Sequence, residues 1–259
     1  MTKPPLKLAG ARILVTNDDG IGAPGLKVLE KIARSLSKDV WVVAPEVEQS
    51  GAGHSLTLRR PLRVRRLAPR RFAVDGTPTD CVLLAVNHLI DERRPDLVLS
   101  GINAGSNLGE DVTYSGTVAA AMEATLLDIR SIALSQARER QSYTWRLALE
   151  HGADVIRRLV SVPWTPGVLM NVNFPYLAKG DVSGVQVTRQ GRRAANIEVA
   201  QATDPRGRRY LWIGDFSSDN PLRPGTDLAA VRDGAIAVTP LHLDLTHGAM
   251  ARRLGEVFA

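Results

Sequence analysis

Asp18 and Asp19 stand side by side at the end of an apolar run, residues 11–16, and are followed at once by Gly20. Adjacent carboxylates at the end of a buried strand repel each other and lose hydration. A site that keeps both ionised usually offers a cation, most simply a divalent metal held by oxygen ligands. Such a metal points to an enzyme acting on a phosphate-bearing substrate. Two further polar loops follow apolar runs. One contains Ser50, Gly51, Gly53 and His54; the other contains Asn103, Gly105, Asn107 and Gly109. Glycines let the backbone approach a ligand closely, and Asn103 and Asn107 can donate to anionic oxygens or coordinate a metal through their carbonyls. Ser115, Gly116 and Thr117 then open a small-residue helix. Their hydroxyls and N–H groups at its positive end make a phosphate seat, although the same residues also suit an ordinary helix cap.

Other motifs carry less. Gly20, Gly22 and Gly25 spell G-x-G-x-x-G between a strand and a helix, with Glu46 beyond the next strand. That is the dinucleotide fingerprint in its usual context. Asp18 and Asp19 would repel a pyrophosphate there, Pro24 removes an N–H from the turn, and no second, substrate-reducing site is evident. Residue patterns for a P-loop, a His-Glu-x-x-His zinc helix and a Gly-x-Ser-x-Gly elbow are missing from the sequence. Helix initiation accounts for Asp75 and Asp80, and a strand exit with a capped helix accounts for His242, Asp244 and His247. Cys81 lies among apolar neighbours and reads as a small core residue.

The elements that would position these loops alternate. Residues 11–16, 39–44, 96–100, 131–134 and 168–172 read as core strands, and residues 24–36, 79–90, 116–127 and 142–160 as helices. Thr77 and Pro78 suit the start of the second helix. This alternation implies an α/β fold with a mostly parallel sheet covered on both faces, whose ligands bind beyond the carboxyl ends of the strands. After Pro175 the strands shorten to residues 182–188, 196–200 and 210–213, separated by Arg-, Gly- and Pro-rich turns. They read as a protruding β-hairpin arm. A strand over 234–239 and a helix over 246–258 end the chain.

The chain has 259 residues, 44% apolar and 23% charged, as expected of a soluble globular protein with one core and an excursion. No membrane span and no signal-peptide core is evident, and a single cysteine excludes an internal disulfide framework, so a cytoplasmic location is expected. The net charge of +6 comes from arginine clusters, the densest at residues 59–71. These support an alternative reading, a polyanion- or nucleic-acid-binding protein. Few aromatics interleave them, which argues against single-strand binding.

The blocks together resemble the SurE survival proteins. The resemblance is carried by residues 15–25 (VTNDDGIGAPG), 43–45 (VAP), 50–52 (SGA), 76–82 (GTPTDCV), 100–109 (SGINAGSNLG) and 114–120 (YSGTVAA). Residues 204–207 (DPRG), 224–227 (PGTD) and 239–246 (TPLHLDLT) extend it over nearly the whole chain, in order. The resemblance implies a divalent-metal-dependent phosphatase of nucleoside 5′- and often 3′-monophosphates, with some members trimming short polyphosphate. It implies one metal per subunit, Mg²⁺ or Mn²⁺ by oxygen-ligand preference, on Asp18, Asp19, Ser50 and Asn103, the two aspartates being catalytic. Asn17, Asn107, Ser115, Gly116 and Thr117 are then the expected substrate contacts. The implied fold is a single Rossmann-like three-layer domain, with the core over about 10–175, the hairpin arm over about 180–235 and an exchanged C-terminal segment over about 236–259. The implied assembly is a homodimer or homotetramer, without membrane or nucleic-acid partners. Gly22 and His54 depart from the family pattern at positions that bear on substrate contact and pH dependence.

Overall fold

Ile13 and Val15 face one side of the first strand and Leu14 the other, and all three are fully buried. A strand apolar on both sides must be covered on both sides. The computed structural model describes residues 2–139, 144–193, 196–217 and 222–258. In chain order the elements are β1 (Arg12–Thr16), α1 (Pro24–Leu36), β2 (Asp39–Pro45), β3 (Val64–Ala68), β4 (Arg71–Val74) and α2 (Pro78–Leu84). There follow β5 (Leu97–Ala104), α3 (Asp111–Tyr114), α4 (Gly116–Leu126), β6 (Arg130–Gln136), α5 (Arg146–Val160) and β7 (Val168–Phe174). The last are β8 (Val185–Val187), β9 (Asn196–Thr203), β10 (Arg209–Ser217), α6 (Asp227–Arg232), β11 (Ile236–His242) and α7 (Gly248–Val257).

Among the described residues, nine strands form one sheet in the order β3-β4-β2-β1-β5-β6-β7-β11-β8. The run from β4 to β7 is parallel, and β3 and β11 each pair antiparallel with their inner neighbour. On one face, Leu26, Leu29, Ile32, Ala33 and Leu36 of α1 and Val155, Ile156 and Val160 of α5 cover Ile13, Val15, Leu97 and Leu99. Their spacing is the helical repeat of an amphipathic face. On the other face, Cys81 and Val82 of α2 and Ala120 and Ala124 of α4 cover Leu14, Val43 and Val98. The result is the expected α/β architecture of three layers, with a separate antiparallel hairpin, β9–β10. Among the described residues no helix is long and apolar enough to cross a membrane.

The caps explain several helix starts. Thr77 accepts from the Asp80 N–H at 3.1 Å while Asp80 accepts from the Thr77 N–H at 2.9 Å, a closed capping box. His247 accepts from the Met250 N–H at 3.1 Å and caps α7.

Some elements differ from the expected ones. The helix expected over 79–90 ends as α2 at Leu84 and continues as a π-helical turn, Ala85–Leu89. The strand expected over 182–188 shortens to β8 and pairs parallel with β11 in the main sheet, so it is not part of the hairpin. The arginine-rich stretch, for which no element is expected, forms β3 and β4 at the opposite edge. Of the helix expected over 142–160, residues 142 and 143 lie outside the described residues, and α5 begins at Arg146.

Candidate functional site

The chain leaves β1 for β2 on one side and later enters β5 on the other, so the sheet order reverses between β1 and β5. The crevice beyond such a reversal is where open α/β sheets bind ligands. Asp18 and Asp19 follow β1, and Asn103 lies near the end of β5, whose strand runs past the expected boundary to Ala104. The loop after β2 is tied to the loop after β1 by backbone hydrogen bonds, Ile21 N–H to Pro45 O at 2.7 Å and Gln49 N–H to Asp18 O at 2.8 Å. Gly20 has φ +96°, a backbone conformation that side chains resist, and it lets the first loop turn beneath Val47. Asn17 braces the same turn by donating to Gly20 O at 3.0 Å.

A cavity of about 490 Å³ opens here, lined by Asp19, Glu48, Ser50 and Asn103, by the first turn of α1, and by Gly105, Ser106, Arg138 and Trp145. Asp19 accepts from the Ala104 N–H at 3.3 Å. Ser50 donates its hydroxyl to Glu48 at 2.7 Å, and the Asn103 amide nitrogen donates to Gly105 O at 2.9 Å. Asp18 does not line the cavity. It is buried behind it, accepting the Thr117 hydroxyl proton and lying against Gly116 at the start of α4.

Burial pushes the Asp19 carboxyl up to about 6, and the charges of Asp18 and Glu48 push the same way. Burial also raises Asp18, against the Thr117 hydrogen bond that favours its ionised form. The helix end beside Asp18 likewise favours negative charge there. The adjacent Asp18 and Asp19 carboxylates, both raised, need added positive charge to ionise together.

The other expected contacts are placed less directly. Ser115 caps α4 by accepting from the Val118 N–H at 3.0 Å, and neither it nor Thr117 lines the cavity. Asn107 is buried, its amide donating to Ser135 at 2.8 Å and its backbone held by Asn171 and Asn173. It therefore fixes the third loop from below. The same loop is held by Asp227, which accepts from the N–H groups of Gly109 at 2.9 Å and Gly191 at 2.7 Å. His54 sits 3.0 Å from Glu123 of α4 and outside the cavity lining, while among the described residues, its own chain neighbours aside, no atom lies within 4 Å of where a side chain on Gly22 would begin.

Sequence reasoning missed Glu48, Arg138 and Trp145. Glu48 stood in a loop already singled out; the other two stand in no motif. Elsewhere, ligand atoms of Glu150, His151 and Asp181 lie within 4.8 Å of one another, but His151 and Asp181 already pair at 2.6 Å. In the arginine cluster, Arg60 and Arg63 pair with Asp75, Arg65 with Glu46, Arg70 with Asp39 and Arg71 with Glu30, which weakens the positive edge.

Fold and site together define a doubly wound α/β protein with an acidic, oxygen-lined ligand crevice at its switch point. The family model described as Survival protein SurE matches residues 13–197. The 5'-nucleotidase SurE of Paramagnetospirillum magneticum is 61% identical over 249 residues, covering 95% of this chain and 96% of the relative. That of Rhodospirillum rubrum is 56% identical over 250 residues, covering 95% of both chains. The crystal structure of the Sure protein from Aquifex aeolicus superposes with a TM-score of 0.84 at 40% identity, covering 96% of this chain and all of that one. This chain belongs to the SurE family.

Proposed function

We propose that the chain is a divalent-cation-dependent phosphomonoesterase hydrolysing nucleoside 5′-monophosphates to nucleoside and inorganic phosphate. The observation that carries this reading is the convergence of Asp19, Ser50 and Asn103, from three strand ends, on one cavity with Asp18 directly behind it. The names of the relatives support the same substrate class. The reading extends to 3′-nucleotides and short polyphosphate, which present the same terminal phosphoryl group.

The donor set fits a hard cation: two carboxylates, a hydroxyl, and an amide whose nitrogen is already committed to Gly105, leaving its oxygen. Asp18, Asp19, Ser50 and Asn103 would hold one Mg²⁺ or Mn²⁺ per chain. When bound, that ion neutralises phosphate charge and polarises phosphorus. Water attacks phosphorus, the bond from phosphorus to the ribose oxygen breaks, and that oxygen leaves with a proton. A carboxylate engaged as a ligand is poorly placed to attack, so water is the nucleophile rather than Asp18 or Asp19. Thr117 fixes the Asp18 rotamer, Asn17 holds the first loop, and Asn107 holds the third. Ser115 and Gly116 set the helix end against Asp18.

The chain is one domain with a hairpin arm, and it acts as a homodimer or homotetramer. The apolar residues of α7 and of the hairpin, exposed in the single chain, support this assembly and an exchanged C-terminal segment. The function is tested by phosphate release from AMP, other mononucleotides and polyphosphate, with and without chelator. Release that Mg²⁺ or Mn²⁺ restores after chelation is expected, and Asp18→Asn or Asp19→Asn should abolish it while leaving the melting transition cooperative. Near-wild-type turnover in either variant with metal present would sink the site assignment.

A further inference from the structure

The cavity has a wall that neither the Asp pair nor the glycine loops supply. Arg138 follows β6 and Trp145 immediately precedes α5, so both belong to the connection between those elements. Arg138 is exposed, and among the described residues it makes no hydrogen bond or ion pair, yet its charge favours the ionised form of Asp19. A Cβ placed on Gly105 would lie 3.9 Å from the Arg138 Nε and 3.7 Å from the Asn103 amide nitrogen. The guanidinium thus stands beside the oxygen-donor end of the cavity.

Trp145 is half-buried. A Cβ on Gly25 would lie 2.9 Å from its Cη2, so the far edge of the indole rests on the first turn of α1. The ring also borders the cavity. Anchoring α5 against α1 explains the edge contact alone. It does not require a large aromatic ring to wall a polar cavity whose other wall carries carboxylates and amides.

We propose that Trp145 is the base-recognition residue, stacking its indole on the nucleobase while Arg138 meets an oxygen of the phosphate held beside Asp19, Ser50 and Asn103. This rests on the phosphatase reading above and adds to it a preference for nucleotides over phosphate esters that lack a base. Stacking suits the task because every base offers a π-face, so the preference is for a base as such rather than for one base. The guanidinium suits an anionic oxygen, which it meets with paired N–H donors.

The test compares kcat/KM for AMP with that for ribose 5-phosphate, which shares the phosphate and sugar and has no base. Trp145→Leu keeps apolar bulk against Gly25 and removes the π-face; Trp145→Phe keeps a smaller one. The ratio of AMP to ribose 5-phosphate should fall about tenfold in Trp145→Leu, mainly through KM for AMP, and largely recover in Trp145→Phe. Arg138→Met should raise KM for both substrates together. A ratio unchanged in Trp145→Leu, or a parallel loss on both substrates, overturns the base contact and leaves Trp145 a packing residue. Should the wild-type protein hydrolyse neither substrate with any divalent cation, the phosphatase reading falls. The base contact is then read by calorimetric titration with AMP and ribose 5-phosphate, on the same affinity ratio and with the same overturning result.

Discussion

Gly116 shows how tightly one residue can hold the site. A Cβ there would lie 2.8 Å from the Asp18 Cβ, 3.0 Å from its Oδ2 and 3.2 Å from the Pro78 Cγ. These atoms belong to two short side chains set by backbone, Asp18 and Pro78, so Asp18 must move if Gly116 gains a methyl group. A misplacement of about 1 Å at a reacting centre can cost about a hundredfold in rate, whereas overpacking costs about 1–3 kcal/mol of stability. Gly116→Ala should therefore lose activity on the order of a hundredfold while still melting as a folded protein. Steady-state kinetics beside a thermal melt checks it, and activity within threefold of wild type would mean that the Asp18 position is not critical. Glu48 offers a complementary case. It holds the Ser50 hydroxyl at 2.7 Å and adds negative charge to the crevice. Glu48→Ala should weaken the melting-temperature rise produced by Mn²⁺, and an undiminished rise would separate Glu48 from cation binding.

At the scale of elements, the first strand is registered at its start by charge. Arg12 of β1 pairs with Asp39 of β2 at 2.7 Å, and Arg70 and the Trp41 indole N–H add to the same carboxylate. Burial raises the Asp39 carboxyl, but the Arg12 hydrogen bond and charge, with Arg70, outweigh it and hold Asp39 below its usual 3.8. A depressed carboxylate stabilises the fold above its unfolded value, and that stability is lost as pH falls through the lower folded value. Asp39→Asn should accordingly lower the melting temperature at pH 7 by no more than a few degrees, the range of a partly exposed ion pair. The difference between variant and wild type should shrink below pH 3.8. A difference that persists undiminished in acid would assign the effect to packing. The element scale also shows what the sequence could convey. Core strands and helices were legible because Ile13, Leu14 and Val15 form an unbroken apolar run, and because α1 repeats its apolar residues at helical spacing. The Asp18–Asp19 pair was legible as carboxylates ending an apolar run and Asn103 as part of a polar loop after another, whereas Ser50 was singled out as a ligand only through the family resemblance. In β3, Arg65 and Arg66 leave no apolar run to read, since an exposed edge strand needs no buried face. The sheet that β8 joins depends on β11, some fifty residues further on (Val187 with Val238), and no local pattern encodes that pairing. Arg138 and Trp145 reach the cavity only because β6 and α5 carry them there.

At the scale of the whole molecule, the single chain leaves apolar surface that its own core does not use. In α7 none of the residues is buried, and Met250, Leu254 and Val257, with Phe258 just beyond, recur at helical spacing on one stripe. Phe258 is 84% exposed and Leu245, before the helix, 92%. The hairpin adds exposed Val199, Tyr210, Leu211, Trp212 and Ile213. A two-stranded hairpin is marginal alone in water, and an amphipathic helix with an uncovered apolar stripe is no better placed. Exposed apolar residues of this kind suit association, and a second copy of the chain is the partner that the proposed assembly supplies. Light scattering after size exclusion should therefore give a multiple of the 28.0 kDa chain mass. Replacing Met250, Leu254 and Val257 together with serine should shift the mass towards the monomer, because it removes the stripe and leaves the core untouched. Such a shift with the far-ultraviolet spectrum retained separates assembly from folding. A wild-type chain that runs as a monomer at micromolar concentration would overturn the assembly, and would require α7 to fold back over its own sheet.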